Sequence, residues 1–146
     1  MILISHRGNI DGKRPLENQP KRIDYAISLG YNVEVDIFYI NNDIYLGHDK
    51  PQYKINIDWL LERKEKLWIH CKNIGAIEFL INHQSSKKLN YFFHDVDSCT
   101  ITSKGFVWAY PGKQPIKKSI AVLPELKNES TESCIGICSD YIESYL

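Results

Sequence analysis

The chain has 146 residues, of which 43% are hydrophobic and 25% are charged, and its 18 basic and 18 acidic side chains cancel. This length suits one domain with a substantial core, and the absence of a basic surplus argues against a nucleic-acid-binding protein. No run of about 18 apolar residues occurs, so the sequence excludes an apolar membrane-spanning helix.

Strand-like and helix-like segments alternate in the first two thirds of the chain. Apolar patterning predicts strands at residues 1–5, 32–39, 44–46 and 67–71. Helical spacing of apolar residues predicts helices at residues 21–29, 57–66 and 76–83. The turn residues Asn41, Asn42 and Asp43 predict a β-hairpin after the second strand.

The last third of the chain is expected to contain strands without full helices. Strands are predicted at residues 91–94, 106–110, 120–123 and 135–138. The connections at 98–104 and 112–119 are too short for more than loops or single turns. Alternation of strands and helices in the first part favours an α/β fold with a mainly parallel sheet.

The cysteines indicate a reducing compartment. Cys71, Cys99, Cys134 and Cys138 form no CxxC pair and no dense pattern, so we expect buried free thiols and a cytoplasmic protein. Zinc binding by Cys134 and Cys138 is the weaker alternative.

Polar residues follow several predicted strands at the point where each strand ends. His6 and Arg7 end the first strand, and His48 ends the hairpin. Glu34 and Asp36 end the second strand and point to the same side, because side chains alternate along a strand. His70 and Lys72 have the same spacing at the end of a later strand. The carboxyl ends of parallel strands converge, so we expect one site here.

These residue types suit cleavage of a phosphodiester. Glu34 and Asp36 offer hard oxygen ligands for a divalent cation. The cation and Arg7 would neutralise the phosphate and the charge that grows on it in the transition state. His6 and His48 can serve as base and acid, because imidazole titrates near neutrality.

The same residues resemble the glycerophosphodiester phosphodiesterase family, within the phosphatidylinositol-phospholipase-C-like phosphodiesterases. The resemblance is carried by His6-Arg7-Gly8, Glu17-Asn18, Glu34-x-Asp36 and His48-Asp49, in this order, and is specific over residues 1–51. It implies a single phosphodiesterase-like domain over residues 1–146. The implied fold is a reduced TIM-type (β/α) barrel of about seven mainly parallel strands, with a hairpin after strand 2 and few helices in the C-terminal half.

The resemblance also implies roles for individual residues. The implied enzyme is a metal-dependent phosphoric diester hydrolase of lipid metabolism that acts on a glycerophosphodiester or similar small phosphodiester. The catalytic acid–base pair would be His6 and His48, and the substrate-binding residues would be Arg7, Glu17, Asn18 and Lys72. The metal ligands for Mg²⁺ or Ca²⁺ would be Glu34, Asp36 and His70.

Two features depart from the family pattern. The family has Glu-x-Lys where this chain has His70-x-Lys72, so either His70 binds the metal, which favours Mn²⁺ or Zn²⁺, or two carboxylates bind it weakly. A full barrel of this type takes about 250 residues. We therefore expect an exposed sheet edge that a partner chain would cover, which predicts a homodimer.

Several alternatives stay open at this point. His94, Asp95 and Asp97 are interpreted as capping residues, and Trp108 and Tyr110 as filling of the barrel interior rather than a stacking surface. Glu125 and Asp140 fall near strand ends and are interpreted as lying outside the site, with a position that reaches the site as the weaker alternative. A non-catalytic barrel that binds a phosphorylated ligand or a protein is the alternative to an enzyme. A lyase that forms a cyclic phosphate is the alternative within enzymes.

Overall fold

The computed structural model describes residues 1–146 as one ten-stranded sheet with three short α-helices. The strands are β1 Ile2–His6, β2 Asn32–Ile40, β3 Asp43–Leu46, β4 Tyr53–Ile55, β5 Leu67–Cys71, β6 Asn90–Phe93, β7 Cys99–Ile101, β8 Val107–Ala109, β9 Ser119–Val122 and β10 Gly136–Ser139. The helices are α1 Pro20–Ser28, α2 Ile57–Glu62 and α3 Ile74–Asn82. Three short 3-10 helices lie at Gln84–Lys88, Pro124–Leu126 and Ile142–Tyr145.

The sheet mixes parallel and antiparallel pairs. Seven strands are parallel neighbours in the order β6-β5-β2-β1-β10-β9-β8. The antiparallel pairs are β2-β3, β3-β4 and β7-β8. The sheet curls until its two sides approach each other, and the ring centroids of Phe92 on β6 and Trp108 on β8 lie 4.6 Å apart. The backbone N–H of Ser103 donates to the Tyr91 carbonyl at 2.7 Å, so the chain partly covers the β6 edge itself.

The prediction of a reduced TIM-type barrel is wrong. The structure is a curled mixed sheet, a half-barrel, and its three α-helices have only 9, 6 and 9 residues. All three lie before residue 83, so the later strands have no outer helical layer. The physical reason is the length of the late connections, which form turns, one short 3-10 helix and the antiparallel strand β7 but no α-helix.

Alternation along the strands sorts apolar residues into two cores. The larger core contains Val33, Val35 and Ile69 and packs against the helices on the outside of the sheet. The smaller core fills the inside of the curl with Ile4, Trp68, Phe92, Trp108, Ile120, Val122 and Cys138. The inner side chains two residues further along several of these strands are polar, so the site lies directly above the inner core.

No α-helix of the chain exceeds nine residues, and none has the length and apolar character required to cross a membrane.

The cysteines differ in part from the expectation of four buried thiols. All four are free, but Cys99 is exposed, whereas Cys71, Cys134 and Cys138 are buried. Burial raises the pKa of Cys71 to about 12 and raises that of Cys138 well above its usual range, which keeps these sulfurs as unreactive thiols.

We expect one fast-reacting thiol towards dithiobis(nitrobenzoate) in the native protein and four after denaturation. Cys99→Ser should abolish the fast reaction, and two or more fast thiols would contradict this burial pattern.

Candidate functional site

The strand ends form the wall of a cleft of about 380 Å³. His6 ends β1, Glu34 lies within β2, and His70 lies within β5. One side of the cleft is polar, with His6, Arg7, Glu34, His48, His70, Lys72, His94 and Asp95. The other side is apolar apart from the tyrosine hydroxyl, with Trp108, Tyr110, Pro111, Val122, Leu123 and Leu126. Cleft and charge cluster thus coincide at the carboxyl end of the parallel strands.

Asp36 lies beneath the cleft and is fully buried. One of its oxygens, Oδ2, lies 2.9 Å from Arg7 Nε and 3.2 Å from His48 Nδ1. Asn18 fixes the carboxylate from behind, because its amide donates to Oδ2 at 2.9 Å and its carbonyl accepts the Asp36 backbone N–H. Burial by itself would raise the pKa of Asp36, but donors on His48 and His70 and the charge of Arg7 hold it well below its usual range. Asp36 is therefore a permanent anion that orients three cations or donors.

Arg7 connects the first loop to the hairpin. Its backbone adopts a left-handed conformation with φ 55°, which turns the side chain back over the strand ends. Nη1 donates to Glu17 Oε2 at 3.2 Å, and Nη2 lies 3.3 Å from His48 Nε2. Because a guanidinium only donates, His48 accepts at Nε2 and donates at Nδ1 to Asp36. Arg7 and Asp36 together therefore fix the tautomer of His48.

His6 is fixed by Asp140, which follows the last strand. His6 Nδ1 donates to Asp140 Oδ1 at 2.7 Å, although 134 positions separate the two residues in sequence. Asn9 donates from one amide nitrogen to Asp140 at 2.9 Å and to Glu17 at 2.8 Å. Burial opposes ionisation of Asp140, but His6, Asn9 and Arg7 lower its pKa below the usual value. The result is an imidazole whose Nε2 faces the cleft, 3.9 Å from Glu34.

His70 points one ring nitrogen at the two acidic residues of β2. Its Nε2 donates to the His94 carbonyl at 2.8 Å, so Nδ1 faces Asp36 Oδ1 at 3.1 Å and Glu34 Oε1 at 3.7 Å. Burial alone would lower the pKa of His70, but the two carboxylates outweigh it and raise the pKa to about 9. Without another cation, Nδ1 therefore holds a proton between these carboxylates at neutral pH.

The Glu34, Asp36 and His70 side chains are placed so that they could hold a divalent cation. Their ligand atoms lie within 4.8 Å of one another. Glu34 Oε2 is buried and has no hydrogen-bond partner, which leaves an unsatisfied anionic oxygen at this point. The backbone carbonyl on the far nitrogen of His70 is the kind of partner that orients metal-binding histidines in proteins. Two carboxylates and one imidazole suit Mn²⁺ or Zn²⁺ as well as Mg²⁺.

All nine residues that the sequence analysis selected lie in this cluster, but not all reach the cleft. Lys72 lines the cleft, with Nζ 4.0 Å from Asp36 Oδ1. Glu17 and Asn18 lie behind Arg7 and Asp36 and support those side chains rather than the cleft surface. His94 also lines the cleft while its Nε2 donates to the Asp97 carbonyl at 2.7 Å.

Two members of the cluster were not assigned by sequence reasoning. Asp140 was only the weaker alternative for a residue that reaches the site and received no role, and Asn9 was not considered. A signal for Asp140 exists, because it lies two residues beyond Cys138, an inner-core residue, as His6 lies two beyond Ile4. No local pattern identifies Asn9.

Comparison of the chain with protein-family models, with curated proteins and with solved structures finds no match. The relationship to the glycerophosphodiester phosphodiesterases therefore stays a prediction that rests on the motifs.

Proposed function

We propose that this chain is a metal-dependent phosphodiesterase that cleaves a glycerophosphodiester or a similar small phosphodiester, with His6 and His48 as the acid–base pair. The observation that carries the proposal is the hydrogen bond by which Asp140 orients His6. His6 lines the same cleft as Arg7, beside the Glu34–Asp36–His70 cluster. A solvated surface cluster would not need fixed tautomers on three histidines.

In this proposal, Arg7 and Lys72 bind the phosphate group of the substrate. Arg7 Nε lies 2.9 Å from Asp36 in an ion pair, and each terminal nitrogen uses one N–H, for Glu17 and for His48, so both keep a further N–H for a phosphate oxygen. Lys72 adds a second positive charge on the cleft wall. A planar guanidinium held by a buried carboxylate can bind phosphate without losing further side-chain freedom.

The imidazoles of His6 and His48 carry out the proton transfers. One imidazole accepts the proton of the attacking oxygen as its bond to phosphorus forms. The other gives a proton to the leaving alcohol as the second phosphorus–oxygen bond breaks. His6 Nε2 is suited to the first role, because Asp140 holds the ring proton on Nδ1 and stabilises the imidazolium that forms. His48 takes the second role in its imidazolium form, in which Nε2 carries the proton for the leaving alcohol and no longer accepts from Arg7 Nη2.

Glu34, Asp36 and His70 would hold the divalent cation, which when bound supplies charge neutralisation at the phosphate and in the transition state. The three side chains are already gathered by β2 and β5, whose register pairs Asp36 with His70. His70 would hold the cation through Nδ1 in its unprotonated form, so binding would release the proton that Nδ1 carries in the free protein.

The proposal extends to location and assembly. Four free cysteines without a disulfide are typical of a reducing compartment, and we place the protein in the cytoplasm on this ground. A homodimer would bury exposed sheet edges such as that of β4.

Metal dependence is the direct test. After treatment with EDTA, we expect no turnover of glycerophosphocholine, and recovery on addition of Mn²⁺, Mg²⁺, Ca²⁺ or Zn²⁺. Glu34→Gln should raise the metal concentration for half-maximal activity by at least about tenfold, because it removes an anionic ligand. The exposed helix residue Glu78 supplies a matched control, since Glu78→Gln removes the same charge outside the cleft.

The product and the binding curve separate the alternatives. Phosphorus NMR that shows an open phosphomonoester supports hydrolysis, whereas an accumulating cyclic phosphate would show a lyase. Metal and phosphate binding without turnover of any diester would contradict the enzyme and favour a binding role.

A further inference from the structure

The apolar side of the cleft has no use in phosphate chemistry. We call Tyr110, Leu123 and Leu126 the apolar wall, with Trp108 buried behind it. Tyr110 is 45% exposed and Leu126 is 62% exposed, although both line a cleft whose other side carries four charged residues and four histidines. Exposed apolar side chains beside a charged site mark a surface that a ligand covers.

Leu123 supports this view through its backbone. It has φ 47°, a left-handed conformation that leucine adopts only under strain. Glycine or asparagine would occupy such a position with less strain. The chain instead has a leucine here, between the inner-core residue Val122 and the short 3-10 helix that carries Leu126. Side-chain contact at the cleft is a sufficient reason for an apolar residue at a strained position.

We propose that the substrate is an amphiphilic phosphodiester, whose phosphate lies on the polar side of the cleft and whose acyl or alkyl substituent lies on the apolar wall. This inference rests on the proposed phosphodiesterase function and names the substrate class. A fully polar diester such as glycerophosphocholine would leave all three wall side chains in water. A chain of several methylenes would remove them from water and gain the corresponding hydrophobic free energy.

The test compares two diesters that differ only in an apolar group, glycerophosphocholine and its hexanoyl ester, at concentrations where both are monomeric. We expect kcat/KM to be about tenfold higher for the hexanoyl ester, equivalent to about 1.4 kcal/mol. A hexadecanoyl ester in phosphatidylcholine vesicles identifies the source of the substrate. Turnover of this ester supports a membrane lipid, and turnover of the dissolved ester alone supports a soluble amphiphile.

Substitutions in the apolar wall should remove the preference for the hexanoyl ester, because they leave the residues that bind phosphate and transfer protons in place. Leu126→Gln should reduce the tenfold ratio to below about threefold, because kcat/KM falls for the hexanoyl ester more than for glycerophosphocholine. Ile81→Gln is the matched control, because Ile81 is 64% exposed and lies on α3 outside the cleft. Leu123→Asn suits the left-handed backbone, so it should keep the thermal unfolding temperature while lowering the ratio.

The outcomes separate the two proposals. Equal kcat/KM for the two diesters, or a ratio that Leu126→Gln and Leu123→Asn both leave intact, would overturn the amphiphilic substrate and leave the phosphodiesterase standing. Absence of turnover with every diester and every metal would overturn both.

Discussion

Replacing His6 with alanine is expected to lower kcat for glycerophosphocholine by about a hundred- to ten-thousand-fold, the range that a positioned acid or base contributes. The expectation is specific to His6 because its ring is held by a 2.7 Å hydrogen bond to Asp140 and only 6% of the residue is exposed. The truncation removes the base and leaves the phosphate-binding residues in place, so KM should change much less than kcat.

Two variants show whether the effect comes from the proposed chemistry. Asp140→Asn keeps the shape of the partner but loses its charge, so we expect a smaller fall in kcat than for His6→Ala. His83→Ala removes an imidazole at the end of α3, outside the cleft, and should leave kcat unchanged. Activity of His6→Ala within a factor of three of the parent protein would falsify the assigned mechanism.

The second large effect is expected on stability. Asp36→Ala should lower the free energy of unfolding by about 3–5 kcal/mol, because it removes the only carboxylate that faces Arg7, His48 and His70 together. The cations left behind are held in a partly buried site, and Asn18 loses the acceptor for its amide. Urea unfolding in EDTA measures this loss without a contribution from bound metal.

Asp49 provides the matched control for this measurement. Its side chain is 95% exposed and lies 3.7 Å from His48 Nε2, so any charge interaction it makes is a surface one, limited to the protonated form of His48. Such pairs contribute at most about 1 kcal/mol, and Asp49→Ala should leave the unfolding midpoint nearly unchanged. If Asp36→Ala and Asp49→Ala destabilise the protein equally, Asp36 does not organise the site.

Local patterns were sufficient to predict much of the sheet. Ile4-x-His6, Trp68-x-His70 and Phe92-x-His94 each place an apolar residue in the inner core and a polar one at the cleft, as two-residue alternation requires. The hairpin turn at Asn41 and Asn42 also lies where turn residues occur, with both residues at positive φ.

The architecture was not predictable at the same level. The three-residue strands β4 and β7 have too few residues for a periodic pattern, and their pairing depends on neighbours that are not local in sequence. The resemblance led to a barrel with an outer helical layer, whereas the short late connections allow a curled sheet without one. Alternation within each strand decides which side chains face the core and which face the cleft. The site residues could therefore be predicted from the strands, although the predicted fold class was wrong.

The parts of the site that escaped prediction depend on contacts across the whole chain. Asp140 reaches His6 only because β10 pairs with β1 in parallel, and Asn9 joins Asp140 to Glu17 from an irregular loop. Neither position has a local signature, since loop geometry and long-range pairing are set by tertiary structure.

The pairing of β1 with β10 also determines when the proposed activity could appear during biosynthesis. His6 leaves the ribosome well before the carboxylate that orients it, which follows 134 positions later. A nascent or truncated polypeptide without β10 therefore carries an imidazole that rotates freely and has no defined tautomer. The orientation of His6 should arise in one step, when β10 docks beside β1, so chains that lack β10 should not show the proposed activity.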